Sequence, residues 1–276
     1  MPELPEVETV RRVLEPQLRG LAITGVRPNR PEVIARPAAD EFCRILTGQT
    51  IVAMTRRGKF LGIMLASGDH IAVHLRMTGC LLVAPAGHPA EKHTHVIVFL
   101  SSGKELRFSD TRRFGRLWLI RAGEKDTCSG IDKLGLEPFD NRLTASYLQR
   151  YFGKRRRAIK ECLLDQSAVA GIGNIYSDEI LFAANIHPAR PANSLSVGEW
   201  KRIAFAIPLR LAYFIEKNAI APEEYLKGKG KDYRNTPFLQ VYGRGGEPCS
   251  NCATILCRTT IGGRSSVFCP RCQSGE

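Results

Sequence analysis

Apolar residues recur along the chain with two different periods, and the change from one to the other divides it. Near the start, Val7, Val10, Leu14 and Leu18 fall on one face of a helix that Pro5 can open, and Pro16 should kink or end that helix. From about residue 23 to residue 120 the apolar residues come instead in short runs, at 51–54, 61–65, 71–75, 96–100 and 106–108. Turns such as Ser67-Gly68-Asp69 and Ser102-Gly103 separate them, which predicts an antiparallel sandwich or barrel. Helical spacing returns at 145–148, 159–164, 175–184 and over the long stretch 197–216. Between the two regimes, residues 121–141 carry Gly123, Ser129-Gly130, Gly135 and Pro138, and the domain boundary is expected there. Packed against the sheet, the first helix would hold the chain's N-terminus in a fixed place instead of letting it fray.

The tail adds a metal. Cys249-Ser250-Asn251-Cys252 and Cys269-Pro270-Arg271-Cys272 flank a sixteen-residue insert, the spacing of a four-thiolate zinc site with a two-stranded hairpin between its halves. Disulfides are the alternative. The other cysteines (43, 80, 128, 162 and 257) are scattered singly, and the odd total of nine argues against a disulfide framework. With no apolar leader and no apolar run of spanning length, a soluble cytoplasmic protein is expected.

Charge narrows the partner. Forty Lys and Arg against 27 Asp and Glu leave +13, and the basic residues cluster at Lys154-Arg155-Arg156-Arg157, at Arg112-Arg113 with Arg116, and at Lys227, Lys229 and Lys231. Each cluster alone could be a solvated face; beside a zinc ribbon they favour nucleic acid. Gly171-Ile172-Gly173-Asn174 stands just before the third of the later helices, where backbone N–H groups can hold a phosphate or simply make a tight turn.

The N-terminus offers a nucleophile. Pro2 and Glu3 follow Met1, so loss of Met1 leaves a secondary amine beside a carboxylate. An α-amino group titrates near about 7.7–8.0, so part of it is neutral at physiological pH and can attack a carbonyl-like carbon to form an iminium. By itself a Met-Pro start carries no such meaning.

Five segments then converge on a family. Met1-Pro2-Glu3-Leu4-Pro5-Glu6-Val7-Glu8-Thr9-Val10, His74-Leu75-Arg76-Met77-Thr78-Gly79, Asp110-Thr111-Arg112-Arg113-Phe114-Gly115, Gly171-Ile172-Gly173-Asn174-Ile175-Tyr176 and Leu239-Gln240-Val241-Tyr242-Gly243-Arg244 occur in this order ahead of the zinc cysteines. The chain resembles formamidopyrimidine-DNA glycosylases, in the larger family that includes endonuclease VIII. The resemblance implies an α+β multidomain protein: a catalytic β-sandwich over residues 1–125, with a helix carrying the N-terminus, then a linker over 126–140. A helix-two-turn-helix domain over 141–238 and a zinc ribbon over 239–276 would follow.

It also implies a monomeric base-excision repair enzyme that binds damaged double-stranded DNA, removes oxidised purines and cleaves the strand at the resulting abasic site. In that reading Pro2 attacks C1′, Glu3 shuttles protons and Lys59 contacts DNA near the lesion. Met77, Arg112 and Phe114 fill the gap left by the flipped nucleotide. Asn174 and Arg264 contact phosphates, as do His74, His93 and Lys160 by weaker motif matches. Cys249, Cys252, Cys269 and Cys272 hold one structural zinc, and Glu6 is a supporting charge near the helix start.

One segment departs from the family pattern. Where members specific for 8-oxoguanine carry a small, flexible loop over the flipped base, residues 219–234 read Ala-Ile-Ala-Pro-Glu-Glu-Tyr-Leu-Lys-Gly-Lys-Gly-Lys-Asp-Tyr-Arg. Weak excision of 8-oxoguanine is therefore expected, beside robust cleavage at abasic sites and ring-opened bases. The alternatives are an endonuclease VIII-like preference for oxidised pyrimidines, a non-catalytic damage-binding protein, and a general zinc-ribbon module, which would not explain the N-terminal motif.

Overall fold

The computed structural model describes residues 2–231 and 233–274. The expected loss of Met1 concerns a residue outside these, as does Asp232 within the atypical segment. The chain forms two compact units. One gathers Pro2, Glu6–Asp132 and Asn218–Arg234; the other gathers Glu3–Pro5, Lys133–Lys217 and the residues from Asn235 onward.

In the first unit, helix α1 (Leu4–Leu18) precedes strands β1 (Ile23–Pro28) and β2 (Ile34–Arg36), helix α2 (Ala39–Leu46) and strands β3 (Ile51–Arg57) and β4 (Phe60–Leu65). Strands β5 (His70–His74), β6 (Gly79–Pro85), β7 (Thr94–Leu100), β8 (Lys104–Asp110) and β9 (Arg116–Ile120) complete the sheets. Four strands pair in the order β1-β7-β8-β6 and five in the order β2-β9-β5-β4-β3, so the expected sandwich is present. All these pairs are antiparallel except β2 with β9, which are parallel.

Of the two outcomes expected at Pro16, a kink or an end, the end does not occur: α1 runs on to Leu18. Leu14 and Leu18 are wholly buried in the sandwich core, and the Glu15 carboxylate accepts the Met54 amide of β3 at 3.1 Å. These contacts offset the missing amide donor. Helix α2 was not foreseen within the strand-rich region; Phe42 and Leu46, one turn apart, bury its inner face.

The second unit contains α3 (Ala145–Phe152), α4 (Ile159–Leu163), α5 (Asn174–Ala183), α6 (Val197–Lys217) and a hairpin of β10 (Cys257–Ile261) with β11 (Arg264–Phe268). Thr144 caps α3 by accepting the Tyr147 amide. Helices α3 to α6 share a core around Phe152, Tyr176, Trp200 and Phe214, while Phe182, Val241, Leu256 and Val267 form a smaller one beneath the cysteines.

Residues 218–234 do not stay with the helices that precede them, as the sequence reading had it, but join the first unit. The cause is α7 (Pro222–Lys227): Tyr225 is buried in the sandwich core and its hydroxyl donates to the Leu81 carbonyl at 3.1 Å. Nearby, the Cys80 thiol lies 3.1 Å from the Lys229 carbonyl.

Candidate functional site

In the first unit, two loops project the three residues assigned to fill a gap in a duplex. Met77 lies between β5 and β6 and Phe114 between β8 and β9, and they are 43% and 50% exposed. Their exposure leaves both side chains accessible from solvent, as the expected role requires. The Arg112 guanidinium sits over the Phe114 ring, 4.8 Å from its centroid.

One buried carboxylate joins the two loops. Asp110 Oδ1 accepts the Thr78 hydroxyl from the Met77 loop and, at 3.1 Å, the Arg112 amide; Oδ2 accepts the Gly115 amide at 2.7 Å. Its carbonyl pairs with His95 Nε2 at 2.7 Å, and its amide donates to the His93 carbonyl at 3.0 Å. His93 lines a surface cavity of about 300 Å³ with Arg30, Lys92 and Arg113. Sequence reasoning quoted Asp110 within its motif but gave it no role.

Lys59 is buried and sits at the turn between β3 and β4. Arg56 braces that turn by donating to the Gly58 carbonyl at 3.2 Å while its Nε donates to Glu8 on α1, also at 3.2 Å. His74, opposite Phe60 on β5, meets that ring edge-on. Burial, with the charges of Arg76 and Lys59 adding to it, pushes the His74 pKa down to about 3. Since Nδ1 accepts the Arg76 amide at 3.0 Å, the neutral ring carries its proton on Nε2.

In the second unit the glycine-rich turn before α5 does hold an anion, and that anion is internal. Glu3, buried, places its carboxylate on the helix N-terminus: Oε2 accepts Gly173 N–H at 2.8 Å and Tyr176 N–H at 3.2 Å, and Oε1 accepts Ile175 N–H at 2.9 Å. The Leu4 amide donates to the Gly171 carbonyl at 3.1 Å. A Cβ at position 173 would lie 2.4 Å from the Glu3 carboxylate carbon, so glycine is what admits it. The partial positive charge of the helix end favours this arrangement. Phosphate binding by this turn is therefore replaced by a carboxylate two residues into the chain.

Arg264 is exposed and opens β11 directly after Gly262 and Gly263, whose φ values of +54° and +74° suit glycine. Asn174 Nδ2 donates to the Ser265 carbonyl at 3.1 Å, one residue from Arg264. Lys160 does not fit the phosphate contact expected of it. It is wholly buried, with Nζ 2.8 Å from Asp178 Oδ1 and 2.9 Å from the Ser265 carbonyl.

The Sγ atoms of Cys249, Cys252, Cys269 and Cys272 lie within 4.8 Å of one another, with Cys252 and Cys269 at 3.4 Å and Cys249 and Cys272 at 4.0 Å. A tetrahedral ion with Zn–S bonds of about 2.3 Å needs sulfurs about 3.8 Å apart, so these thiols fit one structural zinc with no open position. A second unforeseen carboxylate supports this region. Glu179, buried on α5, accepts the amides of Gln240, Val241 and Tyr242 at 2.9–3.1 Å and meets Arg210 at 3.4 Å. The only hint in the sequence is an Asp178-Glu179 pair directly before the apolar run 180–183.

Comparison with known proteins finds matches along nearly the whole chain. Residues 1–117 match the formamidopyrimidine-DNA glycosylase N-terminal domain, residues 134–222 its H2TH domain, and residues 246–275 the zinc finger found in FPG and IleRS. A formamidopyrimidine-DNA glycosylase of Pelotomaculum thermopropionicum is 44% identical over 273 residues, covering 99% of both chains. Among solved structures, Lactococcus lactis Fpg bound to DNA with an oxidised pyrimidine superposes with a TM-score of 0.90 at 33% identity, covering 99% of this chain and 100% of that one. A MutM bound to DNA with carbocyclic 8-oxo-G gives 0.88, also at 33% identity, with the same coverage. Among the described residues no helix is long and apolar enough to cross a membrane. With all three domain types matched in order and relatives aligned over nearly their full length, the chain belongs to the formamidopyrimidine-DNA glycosylase family.

Proposed function

We propose that this chain is a bifunctional glycosylase and abasic-site lyase that acts on oxidised bases, mainly purines, in duplex DNA through an iminium on Pro2. The observation that carries the reading is the anchoring of Glu3 by three backbone amides directly after Pro2, because a catalytic terminus has to be held in place. With Met1 removed, the Pro2 nitrogen lone pair forms a bond to C1′ and the glycosidic pair leaves with the base, which takes up a proton. The adduct nitrogen then loses its N–H proton, and the pair so freed forms the iminium as the C1′–O4′ bond breaks and Glu3 protonates O4′. Loss of the C2′ proton then expels the 3′ phosphate, and a further elimination expels the 5′ phosphate.

The remaining residues serve extrusion and grip. Met77 and Phe114 wedge the base stack, and Arg112 pairs with the orphaned base. Lys59 contacts the DNA near the lesion, and His74, His93, Asn174 and Arg264 hold phosphates and so fix register without reading sequence. Cytoplasmic action on chromosomal DNA follows from this role.

Borohydride reduction of enzyme mixed with lesion-bearing duplex tests the chemistry. A covalent adduct mapped to Pro2 by peptide mass is expected, and Pro2→Gly should form it more weakly through a primary amine. Full activity of protein whose intact mass includes Met1 would overturn the mechanism. Oxidised pyrimidines are the second reading, favoured by the Lactococcus complex with such a lesion.

A further inference from the structure

Asp178, 1% exposed on α5, accepts three hydrogen bonds, two of them from the zinc hairpin. Its Oδ1 accepts from Lys160 Nζ at 2.8 Å and from the Ser266 hydroxyl at 2.6 Å, and its Oδ2 accepts the Val267 amide at 3.2 Å. Lys160 in turn donates to the Ser265 carbonyl, the acceptor that also receives Asn174 Nδ2. One carbonyl beside Arg264 thus ties together α4, α5 and β11.

A buried ion pair is a costly way to hold two elements together, since each charge loses its hydration. Burial pushes the Asp178 carboxyl up and the Lys160 ammonium down, each offset in part by the other's charge. Apolar side chains of similar volume would pack the same interface at lower cost. What the charged pair adds is direction: its hydrogen bonds fix the register of β11 on α5 to one position. Lys160, with no exposed surface, cannot itself reach a phosphate.

We infer that Asp178 and Lys160 are positioning residues that lock Arg264 and Asn174 into one phosphate clamp, so that an interior ion pair sets the enzyme's grip on the DNA backbone. The inference rests on the phosphate-contact reading of Arg264 and Asn174.

A double-mutant cycle on the zinc-loaded protein tests it, using a duplex with a stable abasic-site analogue for binding and a preformed abasic site for turnover. Asp178→Asn should weaken binding about tenfold and lower the salt slope by roughly one unit, as loss of one cationic contact does. The defect should fall on KM rather than kcat, and adding Arg264→Ala should cost almost nothing more. Additive losses, or an unchanged salt slope in Asp178→Asn, overturn the inference while leaving the phosphate reading intact. An Arg264→Ala variant that binds with wild-type affinity and slope removes that reading, and the inference with it. If Asp178→Asn loses zinc or melts early, Ser266→Ala, which deletes one hydrogen bond to the same carboxylate, decides. A smaller loss in the same direction supports the inference, and wild-type binding overturns it.

Discussion

His74 Nδ1 accepts the Arg76 amide at 3.0 Å, which leaves a neutral ring with only its Nε2 proton to offer. The contact expected of it with a phosphate is then a neutral hydrogen bond and releases no counterion. His74→Gln should weaken duplex binding with no change in salt slope, whereas Arg264→Ala should lower the slope by roughly one. A slope that falls in both variants would show that His74 binds as a cation.

The same residue makes a prediction about acid. Its pKa is depressed from 6.5 to about 3 in the fold, mainly by burial, so between those values the unfolded chain binds the extra proton. Its contribution to stability is complete above about pH 6.5 and declines by about 1.4 kcal/mol per pH unit as pH falls toward 3. Urea unfolding from pH 7 to pH 4 should show this slope in the wild type and a shallower one in His74→Gln. Parallel slopes would mean that the ring is not buried as described.

Asp110 should matter more to the wedge than any residue on the loops' tips. Asp110→Asn replaces one acceptor oxygen by an NH2 group facing a backbone N–H, that of Arg112 or of Gly115, at a cost of about 2 kcal/mol or more. Melting temperature should fall, and base extrusion, read by 2-aminopurine fluorescence opposite the wedge, should be lost with it. Thr78→Val, which removes a single hydroxyl, should give a milder version of both. Wild-type extrusion in Asp110→Asn would mean that the loops do not depend on this carboxylate.

Four thiolates around one ion should supply folding free energy to the hairpin that carries Arg264. Chelation or Cys249→Ser should abolish duplex binding and expose the small core around Val241 and Val267, while the sandwich melts as before. Binding that survives quantitative zinc removal would contradict this.

Much of this architecture could be read from the chain because it follows periodicity and spacing. Strands β3, β4, β5, β7 and β8, the long α6 and the thiol cluster stand where local pattern puts them, whereas no apolar run had marked β1, β2, β6 or β9. The unforeseen features depend on partners far along the sequence. Helix α1 passes Pro16 because Leu14 and Leu18 are buried, a gain invisible to propensity. Lys160 looks like another member of a basic run and is instead the mate of Asp178, eighteen residues on. Glu3 and Gly173, 170 residues apart, read separately as an acid and as a turn that either holds a phosphate or is merely tight, and only the fold shows that each completes the other.

The last prediction concerns lesion choice, where residues 219–234 leave the family's small-residue pattern. Part of this segment is built as a helix, with Tyr225 buried and hydrogen-bonded to Leu81. At Gly230 a Cβ would lie 2.3 Å from the Cys80 sulfur, so the segment passes close over β6. A cover pinned in this way has fewer conformations with which to supply hydrogen bonds to one particular base, and specificity is a difference of affinities that such bonds can set. Attack at C1′ does not use those bonds. Cleavage at preformed abasic sites and excision of ring-opened purines should therefore be fast, and excision of 8-oxoguanine slower, in single-turnover assays on duplexes with cytosine opposite each lesion. Tyr225→Ala, which frees α7 from the sandwich, should narrow the gap between the two purine lesions. If 8-oxoguanine proves the fastest damaged base in the wild type, the argument from this segment fails, and the family assignment is unaffected because it rests on the whole chain.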